Sequence, residues 1–316
     1  MKLVSIVTPC FNEEDNVAEL HRQVRAVMAK VDGVDYEHIF IDNASTDRTV
    51  EILAGLAAAD PRVRVIVNAR NFGHIRSPYH AILQAHGDAV VLLVADLQDP
   101  PELVAEFVRR WREGHRIVVG VKSQSHESAL MFSIRKAYYG FLARVGEHRL
   151  IQNFTGFGLY DRSVVDALRR MQEPYPYFRG LISEIGYEPF RIEYVQPVRK
   201  RGITKNNFYS LYDMAMLGIT SHSKVPLRLA TMGGFLLSLV SLFIALVYLV
   251  YKLAFWDSFS LGLAPIVIGL FFFSSVQLFF IGLLGEYIAT IHTRVMNRPL
   301  VTEKERINFP DTPTHS

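Results

Sequence analysis

Three acidic residues stand just past apolar runs in the N-terminal third of the chain. Glu13 follows Leu3–Thr8, Asp42 closes His38–Ile41, and Asp96 follows Ala89–Ala95. Runs of this length read as buried strands. Carboxylates at strand ends accept hydrogen bonds from ligands or hold hard cations. The stretches between carry helical signals. Val17, Leu20, Val24, Val27 and Val31 keep helical spacing. Ser45, Thr46 and Asp47 offer N-caps for a helix through Ala58. Ser77-Pro78 opens a further helix, with proline at its favoured first position. Asp99-Pro100-Pro101-Glu102 starts another that runs through Trp111, with Asp99 as a structural N-cap. Val63–Val67 and Ile117–Val121 add two strands. Such alternation makes a doubly wound, mostly parallel α/β sheet, whose ligands sit at the carboxyl ends of the strands. Pro9 to Glu13, Asp42 and Asp96 are therefore expected along one rim.

Several chemistries are set aside by what is missing. No G-x-G-x-x-G follows the first strand and no G-x-x-x-x-G-K-[ST] occurs, which argues against dinucleotide enzymes and P-loop ATPases. No His/Cys cluster has zinc spacing. The single cysteine, Cys10, allows no internal disulfide, and a net charge of +3 gives no reason to expect nucleic acid as a partner.

Hydrophobicity is concentrated late in the chain. Leu229–Tyr251 and Ser258–Gly285 contain no charged residue. Each is long enough to cross a bilayer core, which needs about 20 apolar residues. Lys224 and Arg228 precede the first run, and His292, Arg294 and Arg298 follow the second. The positive-inside rule puts both outer ends in the cytoplasm. The expected layout is a cytoplasmic domain over 1–222, a transmembrane helical hairpin over 223–298 and a polar, loosely ordered tail over 299–316. Met131, Ile134, Tyr138, Phe141, Leu142 and Val145 share one helical face, and Phe208, Leu211, Tyr212, Ala215 and Ile219 share another. Either stripe fits an interfacial helix on the membrane or ordinary core packing.

Five segments resemble, in order, motifs of the family 2 glycosyltransferases. They are Thr8-Pro9-Cys10-Phe11-Asn12-Glu13-Glu14, Ile41-Asp42-Asn43-Ala44-Ser45-Thr46-Asp47, Arg70-Asn71-Phe72-Gly73, Ala95-Asp96-Leu97-Gln98-Asp99-Pro100-Pro101-Glu102, and Arg199-Lys200-Arg201-Gly202-Ile203-Thr204-Lys205. The fourth is similar to the dolichyl-phosphate-mannose-synthase-like branch, which includes bacterial polyprenyl-phosphate enzymes with a two-helix anchor. The resemblance implies a GT-A fold, a nucleotide-sugar donor (UDP-linked), a polyprenyl phosphate acceptor, inversion, a plasma-membrane location and a homo-oligomer. On this reading Pro9, Asn12, Glu13, Asp42, Arg70 and Asn71 bind the donor. Asp96 and Gln98 supply oxygen ligands to Mg2+ or Mn2+. Arg199, Arg201 and Lys205 hold the acceptor phosphate; the same basic segment also suits anionic lipid head groups.

Two departures from the family pattern stand out. Val94 replaces the first aspartate of the usual D-A-D-L-Q, and Gly156 and Gly158 replace an acidic residue and an arginine in Asn153–Arg162. A hydroxyl acceptor wants a general base, whereas a phosphate monoester is already ionised, its second pKa being about 6. Loss of an acid at 156 therefore weakens a hydroxyl acceptor more than a lipid phosphate. Two other readings remain: transfer to a non-phosphorylated lipid with Glu184 as the base, and a non-catalytic sugar-nucleotide-binding membrane module.

Overall fold

A computed structural model of the chain describes residues 1–123, 151, 153–196, 225–254, 263–296 and 298–309. The two stripes around 131–145 and 208–219, and the basic segment with Arg199, Arg201 and Lys205, lie outside the described residues.

The first strand, β1 (Lys2–Cys10), is followed by α1 (Val17–Met28), β2 (Val34–Asp42), α2 (Thr49–Ala59), β3 (Val63–Asn68), α3 (Gly73–Gln84) and β4 (Ala89–Leu92). Then come α4 (Leu103–Arg112), β5 (Ile117–Lys122), β6 (Phe154–Asp161), α5 (Arg162–Met171), α6 (Phe178–Glu184) and β7 (Phe190–Tyr194). Two long helices, α7 (Val225–Ala254) and α8 (Leu263–Val295), precede a last strand, β8 (Glu303–Ile307).

The strands form one mixed sheet in the order β7-β5-β6-β4-β1-β2-β3-β8. β1 pairs in parallel with both β2 and β4, and β2 with β3. β6 runs antiparallel between β4 and β5 and β8 antiparallel to β3, while β5 pairs in parallel with β7, so the sheet is mixed, its first four strands parallel as expected. Side chains alternate between two covered faces, as the two-residue period of a strand requires. Tyr36 and Phe40 of β2 join the core under α1, α2 and α4. Ile39 and Ile41 join the core under α3, α5 and α6. All four residues of β4 are buried. Burial on both faces explains why these strands read as continuous apolar runs, each buried aliphatic side chain contributing about 1.5–3 kcal/mol.

Two local expectations change. α3 begins at Gly73, so Pro78 lies in its second turn instead of opening it. Asn71 Oδ1 accepts from Gly73 N at 2.8 Å, and Gly73 has φ +82°, which sets the start earlier. Asp99 is not the cap of α4. The first turn there closes on Pro100 and Pro101 carbonyls, while buried Asp99 accepts a hydrogen bond from Tyr194 Oη at 2.5 Å. Asp161 does cap α5, accepting from Ser163 N at 2.9 Å.

α7 and α8 have 30 and 33 residues, which at 1.5 Å per residue is about 45 and 50 Å. Tyr287 meets the Leu227 carbonyl, and a side chain at Gly233 would meet Phe280, so the helices run antiparallel. Within α8, Phe272–Val295 is long and apolar enough to cross a membrane, and none of that window is buried.

The tail over 299–316 was expected to be loosely ordered. Instead β8 pairs antiparallel with β3 and covers its open edge. Asn308 Nδ2 donates to the Val63 carbonyl at 2.7 Å. Glu303 bonds His80 at 2.5 Å and accepts from Arg306. Burial works against the Glu303 carboxylate, but these two partners outweigh it and hold its pKa at about 2, below the ordinary 4.5. A lowered carboxylate pKa contributes stability above the unfolded value that is lost as pH falls through the folded one. In thermal unfolding, the margin of the native chain over Glu303→Gln is therefore expected to be full above about pH 4.5 and to vanish toward pH 2.

Candidate active site

The sheet order places a switch point at β1. The chain leaves β1 toward β2 on one side, and β4 arrives on the other. Loops after β1 and β4 diverge there, which is where open α/β sheets hold ligands. A cleft of about 430 Å³ opens at this point, lined by Pro9, Cys10, Glu13, Asn43, Asn71, Ser77, Val94 and Asp96, among others.

Left-handed backbone marks three of the loops. Asn12, Ala44 and Leu97, each just beyond one of the strands β1, β2 and β4, have φ of 56°, 62° and 57°. Such a conformation costs a non-glycine residue about 1–2 kcal/mol, and residues held this way cluster at functional sites.

Among the donor residues expected from the sequence, Pro9, Glu13 and Asn71 reach the cleft. Asn12 instead ties two loops together. Its Oδ1 accepts from Thr46 N at 2.8 Å and its N–H donates to Ser45 Oγ at 2.8 Å. Asp42 is fully buried and accepts from Ser45 N at 2.9 Å and from the Ser45 hydroxyl. Burial raises its pKa above its ordinary value, although the Ser45 bonds oppose the shift. Arg70 stacks on Phe72 at 4.0 Å, donates to the Asn71 carbonyl at 3.2 Å and is not part of the lining. Asp96 lines the cleft half-buried, and its Oδ1 accepts from Gln98 N at 3.1 Å. Gln98 is not part of the lining; its Oε1 accepts from Gln196 Nε2 at 3.1 Å.

Residue-type reasoning passed over Asn43. Its Oδ1 accepts from Phe72 N at 2.9 Å and Asn68 Nδ2 at 3.2 Å, and its Nδ2 donates to Asn71 Oδ1 at 2.9 Å and the Gly73 carbonyl at 3.2 Å. One side chain thus orients Asn71 and the first turn of α3. Its place within the second motif was the only signal. Burial, then Asp42, Glu13 and Asp47, push the Cys10 thiol well above the ordinary value, the opposite of the shift that activates cysteines.

A second chamber of about 290 Å³ adjoins the cleft and shares Pro9, His74, Pro78 and Val94 with it. Thr155, Tyr177, Phe178 and Arg179 close its far side. Pro78 offers no N–H to the carbonyl of His74, one turn earlier in α3. The backbone explains why the two glycines stand here. Gly156 has φ +109°, and a Cβ would lie 3.2 Å from Leu92. A Cβ at Gly158 would lie 2.5 Å from the Val118 carbonyl, leaving no room for an arginine. Glu184 is exposed at the end of α6 and lines neither chamber.

Replacing Asn43 with alanine strands several buried polar groups, each worth about 1–3 kcal/mol. Asn43→Ala is expected to lower unfolding free energy by roughly 2–3 kcal/mol in denaturant titrations, with Asn43→Asp intermediate.

Comparison with known proteins now fits this geometry. The model for "Glycosyl transferase family 2" matches residues 5–170. The uncharacterized glycosyltransferase YkcC of Bacillus subtilis is 35% identical over 94% of this chain and 91% of its own. The SfII prophage-derived bactoprenol glucosyl transferase of Shigella flexneri is 31% identical over 94% of this chain and 96% of its own. Among solved structures, glucosyl-3-phosphoglycerate synthase from Mycobacterium tuberculosis, in complex with phosphoglyceric acid, is 19% identical. It covers 69% of this chain and 78% of its own, with a TM-score of 0.49, and adds nothing to the sheet order already described. The family match and the two relatives show that the chain belongs to glycosyl transferase family 2 and is a glycosyltransferase.

Proposed function

We propose that this glycosyltransferase moves a sugar from a UDP-linked donor to a polyprenyl phosphate at the cytoplasmic membrane face, with inversion at the anomeric carbon. The observation that carries the reading is the cleft at the β1 switch point, with Asp96 in one lining with Pro9, Glu13, Asn43 and Asn71. Full-length similarity to a protein named as a bactoprenol glucosyl transferase supports the acceptor class.

The donor lies over the strand ends with Glu13 and Asn71 hydrogen-bonding its polar groups and Asn43 holding Asn71 in place. Among the described residues no three His, Cys, Asp or Glu side chains form a metal cage. That suits Mg2+, or Mn2+ in its place, because Mg2+ is commonly held by one or two carboxylates plus substrate phosphates. Asp96 would hold the ion, with Gln98 joining once its amide turns from Gln196. A bound ion would offset charge on the departing diphosphate. The acceptor phosphate oxygen forms the new bond to the anomeric carbon while the carbon–oxygen bond to the nucleoside diphosphate breaks. The diphosphate leaves with the electron pair, and the ionised acceptor needs no base. Arg199, Arg201 and Lys205 compensate the acceptor's charge.

The membrane anchor in this reading is an α7–α8 hairpin with both outer ends cytoplasmic. Its support is the antiparallel pairing, the exposed apolar window of α8, and exposed Leu229, Met232, Phe235 and Leu239 on α7. Transfer to a hydroxyl-bearing lipid is less favoured, because Glu184 lies outside both chambers.

The test uses the full chain in nanodiscs with undecaprenyl phosphate and a panel of nucleotide sugars. One donor should yield a glycolipid of inverted anomeric configuration, and EDTA should abolish it. Asp96→Asn should lower kcat on the order of 100-fold; unchanged turnover would remove Asp96 from the metal site. In the same assay, Arg201→Ala and Lys205→Ala should each raise the acceptor KM on the order of tenfold and leave donor KM alone.

A further inference from the structure

We infer that the second chamber receives the phosphate-bearing end of the lipid acceptor, with Arg179 as a phosphate ligand and the apolar wall against the first prenyl unit. The inference rests on the reading that the acceptor is a lipid phosphate, and assigns that acceptor a place within the fold.

The chamber's composition selects its occupant. Ile75, Ile82, Leu92, Val94 and Phe178 line it together with three prolines, and among the described residues no carboxylate lines it. A hexose presents several hydroxyl groups that need partners once buried, and this wall offers few. An amphiphile with an anionic head and a branched hydrocarbon body matches it. Among the described residues Arg179 is the one guanidinium in the lining. Its side chain stacks on Tyr177 at 5.5 Å and, among the described residues, makes a single long bond, Nη1 to the Phe154 carbonyl at 3.4 Å. Among the described residues no carboxylate pairs with it. The remaining N–H groups are suited to a phosphate, which arginine binds in bidentate fashion.

Position supports the same occupant from both sides. Toward the donor, Val94 and Pro9 belong to both chambers, so a phosphate beside Arg179 lies next to the cleft that carries Asp96. Val94 is also the family departure that removes a carboxylate from this shared wall, and with it a repulsion toward an incoming anion. Toward the membrane, Arg294 in the last turn of α8 pairs with Glu173 at 2.9 Å. Glu173 opens the Glu173–Tyr177 segment whose Pro176 and Tyr177 wall the chamber. Tyr175 in the same segment stacks under Arg76 of α3 at 5.2 Å. The chamber is thus fastened to the foot of the helix whose apolar window spans Phe272–Val295, and a lipid reaching it travels a short way from the bilayer.

The experiment measures binding first, so that it does not depend on turnover. Geranyl phosphate, geraniol and inorganic phosphate are titrated by calorimetry into the full chain in nanodiscs, for the native protein, Arg179→Ala and Arg179→Lys. Geranyl phosphate is expected to bind the native protein at least about tenfold more tightly than either fragment probe. Arg179→Ala should weaken it by about tenfold or more, Arg179→Lys by less, and UDP affinity should not change in either variant. Geranyl phosphate binding within twofold of native in Arg179→Ala, or no binding to the native protein, overturns the assignment. So does an Arg179→Ala protein that keeps UDP and geranyl phosphate affinity but loses affinity for the UDP-sugar, since the chamber would then hold the sugar. Arg179-dependent geranyl phosphate binding without sugar transfer from any donor supports the chamber and sinks the reaction proposed above.

Discussion

The divergence of loops around β1 is the constraint on which the rest of the site depends. A parallel strand flanked by β2 and β4 cannot have both neighbours entered by the same crossover. One connection must leave each way, and the end of β1 stays uncovered. Into that gap the sheet delivers Pro9 from β1, Glu13 from the loop after it, Asn43 from the end of β2, Asn71 from beyond β3 and Asp96 from beyond β4. The two buried cores fix those strands in register, and the left-handed residues Asn12, Ala44 and Leu97 turn the chain sharply enough to keep the gap open.

Charge is distributed unevenly around the gap, and the backbone has a part in this. Among the described residues the cleft carries Glu13 and Asp96, whereas the adjoining chamber carries Arg179 and no acid. At Gly156 and Gly158 the close approach of Leu92 and of the Val118 carbonyl excludes larger side chains unless neighbours move. The two family departures on β6 are therefore part of how β6 packs between β4 and β5. A negative half and a positive half share the wall formed by Pro9, Pro78 and Val94.

Much of this was legible in the sequence where the signal is local. β1, β2 and β4 are buried on both faces and announce themselves as apolar runs, and the spacing of Val17, Leu20 and Val24 gives α1. What escaped was set by distant contacts. Asp99 precedes two prolines and reads as a cap, yet its partner Tyr194 is 95 residues away. Pro78 favours a helix start, but Asn71 and Gly73 begin the helix earlier. Asn43 has four partners scattered from Asn68 to Gly73, and no single-residue signal marks such a hub. β8 is Glu-Lys-Glu-Arg-Ile, charged because its middle three residues face solvent, and so it reads as a polar tail.

The place of β8 along the chain sets the order in which the molecule can be completed. β3 ends at Asn68, and its outer neighbour begins at Glu303, beyond both long helices. At ribosomal rates of about 5–20 residues per second, that interval is on the order of tens of seconds. Throughout it the edge of β3 has no antiparallel neighbour, so the nascent sheet must tolerate an open flank. Closing that flank requires α7 and α8 to have been made and their far end returned to the side where they began. The last strand therefore acts as a topological latch, seating fully only when both ends of the helical pair lie on the same side as the sheet.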